Sequence, residues 1–460
     1  MNAPDAQRPH ATAALLSIGD ELTLGQTLDT NSKWLAARLL DLGVTPIEHA
    51  TVPDELQAHA DAYRRLARKA DLVISSGGLG PTADDLTRQA LAQAMNDELV
   101  EDPGALAEIQ TFFRGRARTM PEINRVQALR PRRGISISNP NGTAPGLLGL
   151  VAGDAPAGGG VEVFCLPGPP REMIPMFESF VVPRIRVRPG WTVLTRVIPT
   201  IGIGESDLAS RLGDLMRRDR VPLVGTTASA GVVTVRIRYE GQASREQALR
   251  ELDETQARVL ELASDFVFAT EPTTLQAAMI GLLRQRGQTL TTVESCTGGM
   301  LGSLLTEVPG SSSAYRGGWV TYSNERKVAD VGVPRELFME WGGESAPGAV
   351  SPKVAIAMAQ GGLERAGADH ALSITGVAGP EGGTPDKPVG TVWVGRASRR
   401  ESVPAGTPLA EARRFSMGGD RASVREWSCR AALAMLRLAM LGKTEVKLLR
   451  EAQVYASAAM

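Results

Sequence analysis

Short apolar runs that stop at clusters of glycine, hydroxyl and carboxylate side chains set the tightest limit on what this chain can fold into. Ala13-Ala14-Leu15-Leu16-Ser17-Ile18 stops at Gly19-Asp20-Glu21-Leu22, and Asp71-Leu72-Val73-Ile74-Ser75-Ser76 stops at Gly77-Gly78-Leu79-Gly80. Gly160 to Leu166 stops at Pro167-Gly168-Pro169-Pro170, and an apolar run of strand character leads into Thr291-Thr292-Val293-Glu294-Ser295-Cys296-Thr297-Gly298-Gly299. Runs without polar alternation mark strands buried on both faces. Between them lie amphipathic stretches: Asn31 to Leu42, with Trp34, Leu35, Leu39 and Leu40 on one face, and Leu56 to Ala70. Strands alternating with helices imply right-handed crossovers and a mostly parallel sheet with flanking helices, an α/β architecture.

At 460 residues the chain exceeds one ordinary core, so several domains are expected. The first α/β segment covers 1–185. Over 186–272 the pattern changes: Thr192 to Pro199 and Gly231 to Tyr239 alternate like half-exposed strands, while Ser206 to Met216 and Ser244 to Ala263 read as helices. That is a small α+β unit with nothing catalytic in it. A second α/β segment covers 273–443; its last helix runs from Arg421 to about Leu441, and the residues after Leu449 are expected to fray. The glycine signatures of the two α/β segments differ, so they are not a duplication.

Charge and cysteine content exclude several classes. With 50 basic and 51 acidic residues, there is no electrostatic case for direct nucleic-acid binding or an anionic membrane. Cys165, Cys296 and Cys429 are widely separated, which excludes a disulfide framework or a cysteine zinc site and fits a reducing cytoplasm. No run approaches the length of a membrane span. Met1 to His10 is polar and reads as a flexible tail, without a signal-peptide core.

Ser295 stands where a strand gives way to a helix starting near Met300. Backbone amides there stabilise negative charge, so Ser295 is placed as a nucleophile or a phosphate ligand. Tyr322-Ser323-Asn324-Glu325-Arg326-Lys327 supplies a phenol and an amine that could activate it. A Ser–Gly–Gly turn alone often only joins a strand to a helix. Here further polar turns keep it company: Ser373-Ile374-Thr375-Gly376-Val377-Ala378-Gly379-Pro380, Lys387-Pro388-Val389-Gly390-Thr391, and Gly418-Gly419-Asp420-Arg421. Several polar loops at strand ends describe a site at a sheet edge. In order and spacing, Ser-Cys-Thr-Gly-Gly, Tyr-Ser-Asn-x-x-Lys, Thr-Gly-x-Ala-Gly-Pro and Gly-Asp-Arg resemble the C-terminal deamidase domain of the competence/damage-inducible protein A (CinA) family.

The first segment has its own set. Gly77, Gly78 and Gly80 would let backbone amides approach phosphate oxygens, and paired carboxylates can hold a hard divalent cation. Singly, Asp20, Asp29 and Asp84 would serve as caps or turn formers. Together, Ile-Gly-Asp-Glu-Leu, Asp-Thr-Asn, Gly-Gly-Leu-Gly-Pro-Thr-x-Asp-Asp-Leu-Thr and Gly-Thr-Ala-Pro-Gly resemble the N-terminal domain of the same family, which is related to the MoaB/MogA molybdopterin-binding fold.

The resemblance implies a bifunctional pyridine-nucleotide salvage enzyme, with the middle unit supporting a homodimer. The C-terminal domain would deamidate nicotinamide mononucleotide without a cofactor. The front domain would split ADP-ribose to AMP and ribose 5-phosphate with magnesium, cobalt or manganese. Ser295 is then the nucleophile, with amides near Thr297 and Gly298 as oxyanion hole and Cys296 as its rival. Lys327 with Tyr322 is the base, Asn324 capping its helix and Lys327 in the first turn. His370 is the segment's only histidine and sits just before an apolar strand, so no Ser–His pairing is expected. Arg421, behind the cap Asp420, takes the 5′-phosphate, and Thr297, Gly298, Gly299, Thr375, Gly376 and Gly379 line the pocket. In front, Asp20, Asp84 and Asp85 are expected at the metal, with Glu21 and Glu172 in reserve. Gly77, Gly78 and Gly80 face the diphosphate, and Asp29 and Asn31 a ribose or base. Two departures from the family pattern are Thr23 after Glu-Leu and a longer loop, Glu340 to Ser351, whose role is open. A nucleotide-binding scaffold for competence or repair proteins, or molybdopterin handling by the front domain, are the competing readings.

Overall fold

The computed structural model describes residues 9–153, 160–229 and 231–456, so most of the expected polar tail lies outside the described residues. The chain forms two compact units: Met1–Leu194 with Glu240–Ala248, and Thr195–Tyr239 with Leu249–Met460.

The first unit is built on β1 (Thr12–Ile18), β2 (Thr45–Val52), β3 (Leu72–Ser76), β6 (Ile135–Ile137), β7 (Gly146–Val151) and β8 (Val161–Leu166), in the order β2-β1-β3-β8-β7-β6. A separate antiparallel pair is formed by β4 (Leu99–Glu101) and β5 (Leu129–Pro131). β1 pairs in parallel with β2 and β3, and β3 with β8; β7 and β6 run antiparallel. The buried runs sort by strand periodicity. Ala13 and Leu15 pack with Leu35 and Leu39 of the helix Thr30–Asp41, whereas Ala14, Leu16 and Ile18 pack with Tyr63 and Leu66 of the helix Leu56–Lys69. Helices therefore cover both faces, which is why these strands carry no polar alternation.

Three strands follow: β9 (Thr192–Ile201), β10 (Leu223–Ser229) and β11 (Val232–Gly241), in the order β10-β11-β9, with the helices Glu205–Leu212 and Arg245–Ala263. β10 was not expected. Its sequence, Leu-Val-Gly-Thr-Thr-Ala-Ser, carries little apolar signal, and it is a strand because it pairs antiparallel with β11 from Leu223↔Arg238 to Ser229↔Val232.

In the second unit β12 (Leu290–Glu294), β13 (Tyr315–Val320), β14 (His370–Gly376), β15 (Thr391–Ser398), β16 (Ala410–Ser416) and β17 (Glu451–Ala456) form a sheet in the order β13-β12-β14-β15-β16-β17. β12 is flanked on both sides by parallel neighbours, and the remaining pairings are antiparallel. Fraying after Leu449 is corrected here. Residues 451–456 are the edge strand, drawn in by a buried ion pair between Arg413 Nη1 and Glu451 at 3.0 Å. The helix Arg421–Met440 packs Val424, Ala432, Leu433 and Leu436 into the core with Leu372 and Val394 of the sheet.

Candidate active site

β12 lies between two parallel neighbours reached in opposite directions, so a crevice opens beyond its C-terminal end. Ser295 is the first residue past that end, its amide held by the Ile374 carbonyl of β14 at 2.9 Å. The residues from 321 leave the end of the neighbouring β13 and start the helix Asn324–Val331, whose fourth residue is Lys327. Its Nζ lies 3.2 Å from Ser295 Oγ and 2.9 Å from the Thr321 carbonyl. The lysine is 2 % exposed. Burial pushes its pKa down to about 8, although Cys296, Glu325 and Glu340 pull the other way. A lysine with that pKa holds a substantial neutral fraction near neutrality, and a neutral amine can take a proton from a hydroxyl.

Other members of the expected set sit differently. The cap of the lysine helix is Ser323, which accepts from the Arg326 amide at 3.3 Å; Asn324 instead donates to Glu340. Lys327 thus stands one residue further in than a capping Asn324 would place it. Tyr322 is not brought to the Ser295–Lys327 pair. Its side chain is 62 % exposed and its hydroxyl accepts from Arg421 Nη2 at 2.9 Å. Arg421 also donates to the Gly379 carbonyl at 2.7 Å, tying three loops together at the start of its helix. Asp420 caps that helix as expected, accepting from the Ser423 amide at 2.8 Å. His370 is neutral and structural: burial pushes it down to about 4, and it bonds Ser398 and Gln288.

The turn after Ser295 corrects the expected oxyanion hole. The Gly298 amide is spent on the Ser295 carbonyl at 3.0 Å, while the amides of Cys296 and Thr297 have no oxygen acceptor among the described residues. Gly298 (φ 60°) and Gly299 (φ 92°) take the left-handed region that lets the chain double back into the helix Met300–Thr306. Cys296 is buried in the apolar core, which raises its thiol to about 11. Such a thiol is not a competitive nucleophile. Gly376 has no room for a side chain, because a Cβ there would meet the Thr391 carbonyl at 2.7 Å. Thr375 is buried and donates to the Ala349 carbonyl at 2.9 Å. With Glu340 bound by Asn324 and the Pro347 carbonyl bound by Lys387 at 2.9 Å, the longer loop is fastened at three points around the site.

Sequence reasoning missed Glu294 and Arg425. Glu294 accepts from the amides of Gly299, Leu301 and Gly302, and Arg425 donates Nη2 and Nε to the Thr297 carbonyl at 2.8 and 3.3 Å. A carboxylate at the end of an otherwise buried strand was the available signal for the first. The second could have been reached only as the residue one turn beyond Arg421.

In the first unit a cleft of about 550 Å³ opens at the ends of β1, β3 and β8, lined by residues that include Asp29, Asn31, Gly77, Gly78, Gly80 and Glu172. Asn31 bonds the Gly168 carbonyl at 2.7 Å, joining two of the loops. The glycine loop is secured from behind by buried Arg88, which donates to the Leu79 carbonyl at 2.8 Å and to that of Gly80; burial lowers this guanidinium to about 10. The metal expected here does not fit the arrangement. Asp85 turns both oxygens into its own loop, to the amides of Gly80 (2.7 Å) and Thr82 (2.9 Å) and the Thr82 hydroxyl. Asp20 is tied to the Asp54 amide at 3.1 Å, Asp84 is exposed, and Glu172 accepts from Asn139 at 2.8 Å. Among the described residues no three carboxylate, histidine or cysteine groups converge on one point. Asp29 caps the helix Thr30–Asp41 and accepts from Ser17 Oγ at 2.6 Å; burial opposes its ionisation, yet these hydrogen bonds hold its pKa below the ordinary value.

Residues 272–440 match the family described as CinA C-terminal domain, residues 14–187 that described as "Probable molybdopterin binding domain", and residues 195–269 the CinA KH domain. The "Putative competence-damage inducible protein" of Symbiobacterium thermophilum is 41 % identical over 437 residues, covering 94 % of this chain and 99 % of its own length. A CinA-like protein of Dictyoglomus turgidum is 35 % identical over 93 % of this chain and 98 % of its own. Among solved structures, a competence/damage inducible protein of Agrobacterium tumefaciens is 35 % identical, covers 36 % of this chain and 93 % of its own, and superposes with a TM-score of 0.32. No helix among the described residues is long and apolar enough to cross a membrane.

Proposed function

This chain belongs to the CinA family, and from that premise we propose that its C-terminal domain is a serine amidase that converts nicotinamide mononucleotide to nicotinate mononucleotide and ammonia. The observation that carries the proposal is the buried Lys327 amine 3.2 Å from Ser295 Oγ. In the neutral amine one N–H goes to the Thr321 carbonyl, leaving the lone pair for the serine proton. As Oγ attacks the carboxamide carbon, Lys327 takes that proton, and the amides of Cys296 and Thr297, which have no oxygen acceptor among the described residues, receive the oxyanion. The ammonium then returns the proton to the departing nitrogen, which leaves as ammonia. Lys327 next draws a proton from water as its oxygen adds to the acyl ester, and returns that proton to Oγ as the C–Oγ bond breaks, which releases the acid and regenerates Ser295. Arg421 and the loops it joins are proposed to hold the 5′-phosphate.

For the front domain we propose ADP-ribose as substrate, cleaved between its phosphates. The volume of the cleft, its glycine loop and its position at strand ends support this reading. Because the carboxylates do not converge, no catalytic step is assigned to a metal here.

Ammonia release from nicotinamide mononucleotide by the purified chain tests the amidase. Ser295→Ala is expected to abolish it and Cys296→Ala to spare most of it. The reverse pattern assigns the nucleophile to the thiol, and no turnover by the wild type favours the scaffold reading.

A further inference from the structure

Glu294 is the last residue of β12 and only 1 % exposed. It lies along the start of the helix Met300–Thr306, where Oε2 accepts from the amides of Gly299 (3.1 Å) and Leu301 (3.0 Å) and Oε1 from Gly302 (2.8 Å). Three N–H groups that a helix start leaves without partners are thereby satisfied by one side chain. The same turn is also held by Arg425, two of whose N–H groups take the Thr297 carbonyl. Between the two clamps, the Gly298 amide closes on the Ser295 carbonyl.

One consequence concerns substrate binding: the start of this helix is closed to an anion by the protein's own carboxylate. A second concerns catalysis. From Ser295 to Gly299, three amides are engaged and only those of Cys296 and Thr297 remain without an oxygen acceptor. We infer that Glu294 and Arg425 are positioning residues, clamping the nucleophile turn through different backbone groups so that those two amides keep their place at the developing oxyanion. The inference rests on the amidase reading above. Neither residue touches the reacting atoms. Each acts through the peptide planes it fixes, and preorganised donors lose much of their effect when displaced by a fraction of an ångström.

Glu294→Gln keeps the size of the side chain but replaces one acceptor oxygen with a donor, which opposes the N–H groups it must face. Arg425→Gln removes the paired donation to Thr297 from a half-buried position. In the full chain, each variant is expected to lower kcat on nicotinamide mononucleotide by about 100-fold. KM should stay within about twofold, and the pH midpoint of kcat should remain that of the wild type, because Lys327 keeps its surroundings. Turnover is normalised to folded protein by circular dichroism, so a merely structural role would leave it unchanged. If Glu294→Gln does not fold, Arg425→Gln carries the test. Normalised kcat within twofold of wild type overturns the inference, as does a shifted pH midpoint, which would make Glu294 a charge partner of the lysine. Failure of the wild type to release ammonia overturns the amidase reading, and this inference with it.

Discussion

Replacing Lys327 with Met should make the protein more stable and inactive at once. The fall of the lysine pKa from its ordinary 10.5 to about 8, caused first by burial, measures how much the fold disfavours the charged amine. At about 1.4 kcal/mol per pKa unit this amounts to about 3 kcal/mol. The sign follows from linkage. A lysine whose folded pKa lies below its unfolded value costs stability in full below pH 8. That cost shrinks as the pH rises above 8 and is gone near 10.5. Methionine is nearly as long, does not titrate, and removes the cost. It also leaves the Thr321 carbonyl without its partner, a loss of about 1–2 kcal/mol. The variant should therefore exceed the wild type by about 1–2 kcal/mol at pH 7 and fall below it by a similar amount at pH 10.5. Urea unfolding of the full chain, followed by fluorescence of Trp319, Trp341, Trp393 and Trp427, measures the difference at each pH. Turnover should fall by about a thousandfold as the base is lost. A stability difference that does not change between pH 7 and 10.5, or a variant less stable at pH 7, would refute the reasoning.

Wild-type kcat on nicotinamide mononucleotide should rise with pH through a midpoint near 8, as the Lys327 amine loses its proton; a rate that falls over that range excludes the lysine as base. Arg421→Ala should raise KM for the mononucleotide by about tenfold or more, the worth of a charge-assisted hydrogen bond, and an unchanged KM removes the residue from the phosphate site. Asp85→Ala frees the Gly80–Thr82 turn, so KM for ADP-ribose should rise while ammonia release is untouched; equal KM values would show that the turn does not meet the diphosphate. Glu451→Ala removes the 3.0 Å partner of buried Arg413, which keeps Glu411 at 3.6 Å, and should cost about 1–3 kcal/mol in denaturant unfolding, whereas a loss under about 0.5 kcal/mol would mean that β17 docks without the ion pair.

Much of this architecture was legible along the chain because its signals are local. A strand buried on both faces is mostly apolar without alternation, so β1, β3 and β8 stood out, and the glycine and hydroxyl turns after them and after β12 located both sites at sheet edges. Ser295 and Lys327 could be named because one lies just past a strand end and the other in the first turns of the helix that follows the neighbouring strand. Weak strands were not legible in the same way. β10 and β17 exist only because β11 and β16 offer them unpaired edges, and β17 is held further by the ion pair of Glu451 with buried Arg413. The same residue types also conceal their duties. Asp85 and Asp20 read as metal ligands in sequence, but the fold turns their oxygens to backbone amides, while Tyr322 is drawn away from the base by Arg421. Sequence by itself determined the buried strands, the turns that end them and the pairing of a serine with a lysine. Only the tertiary structure decided which amides around that serine stay free, because a backbone N–H is the same at every position and its partner is set by what the fold packs beside it.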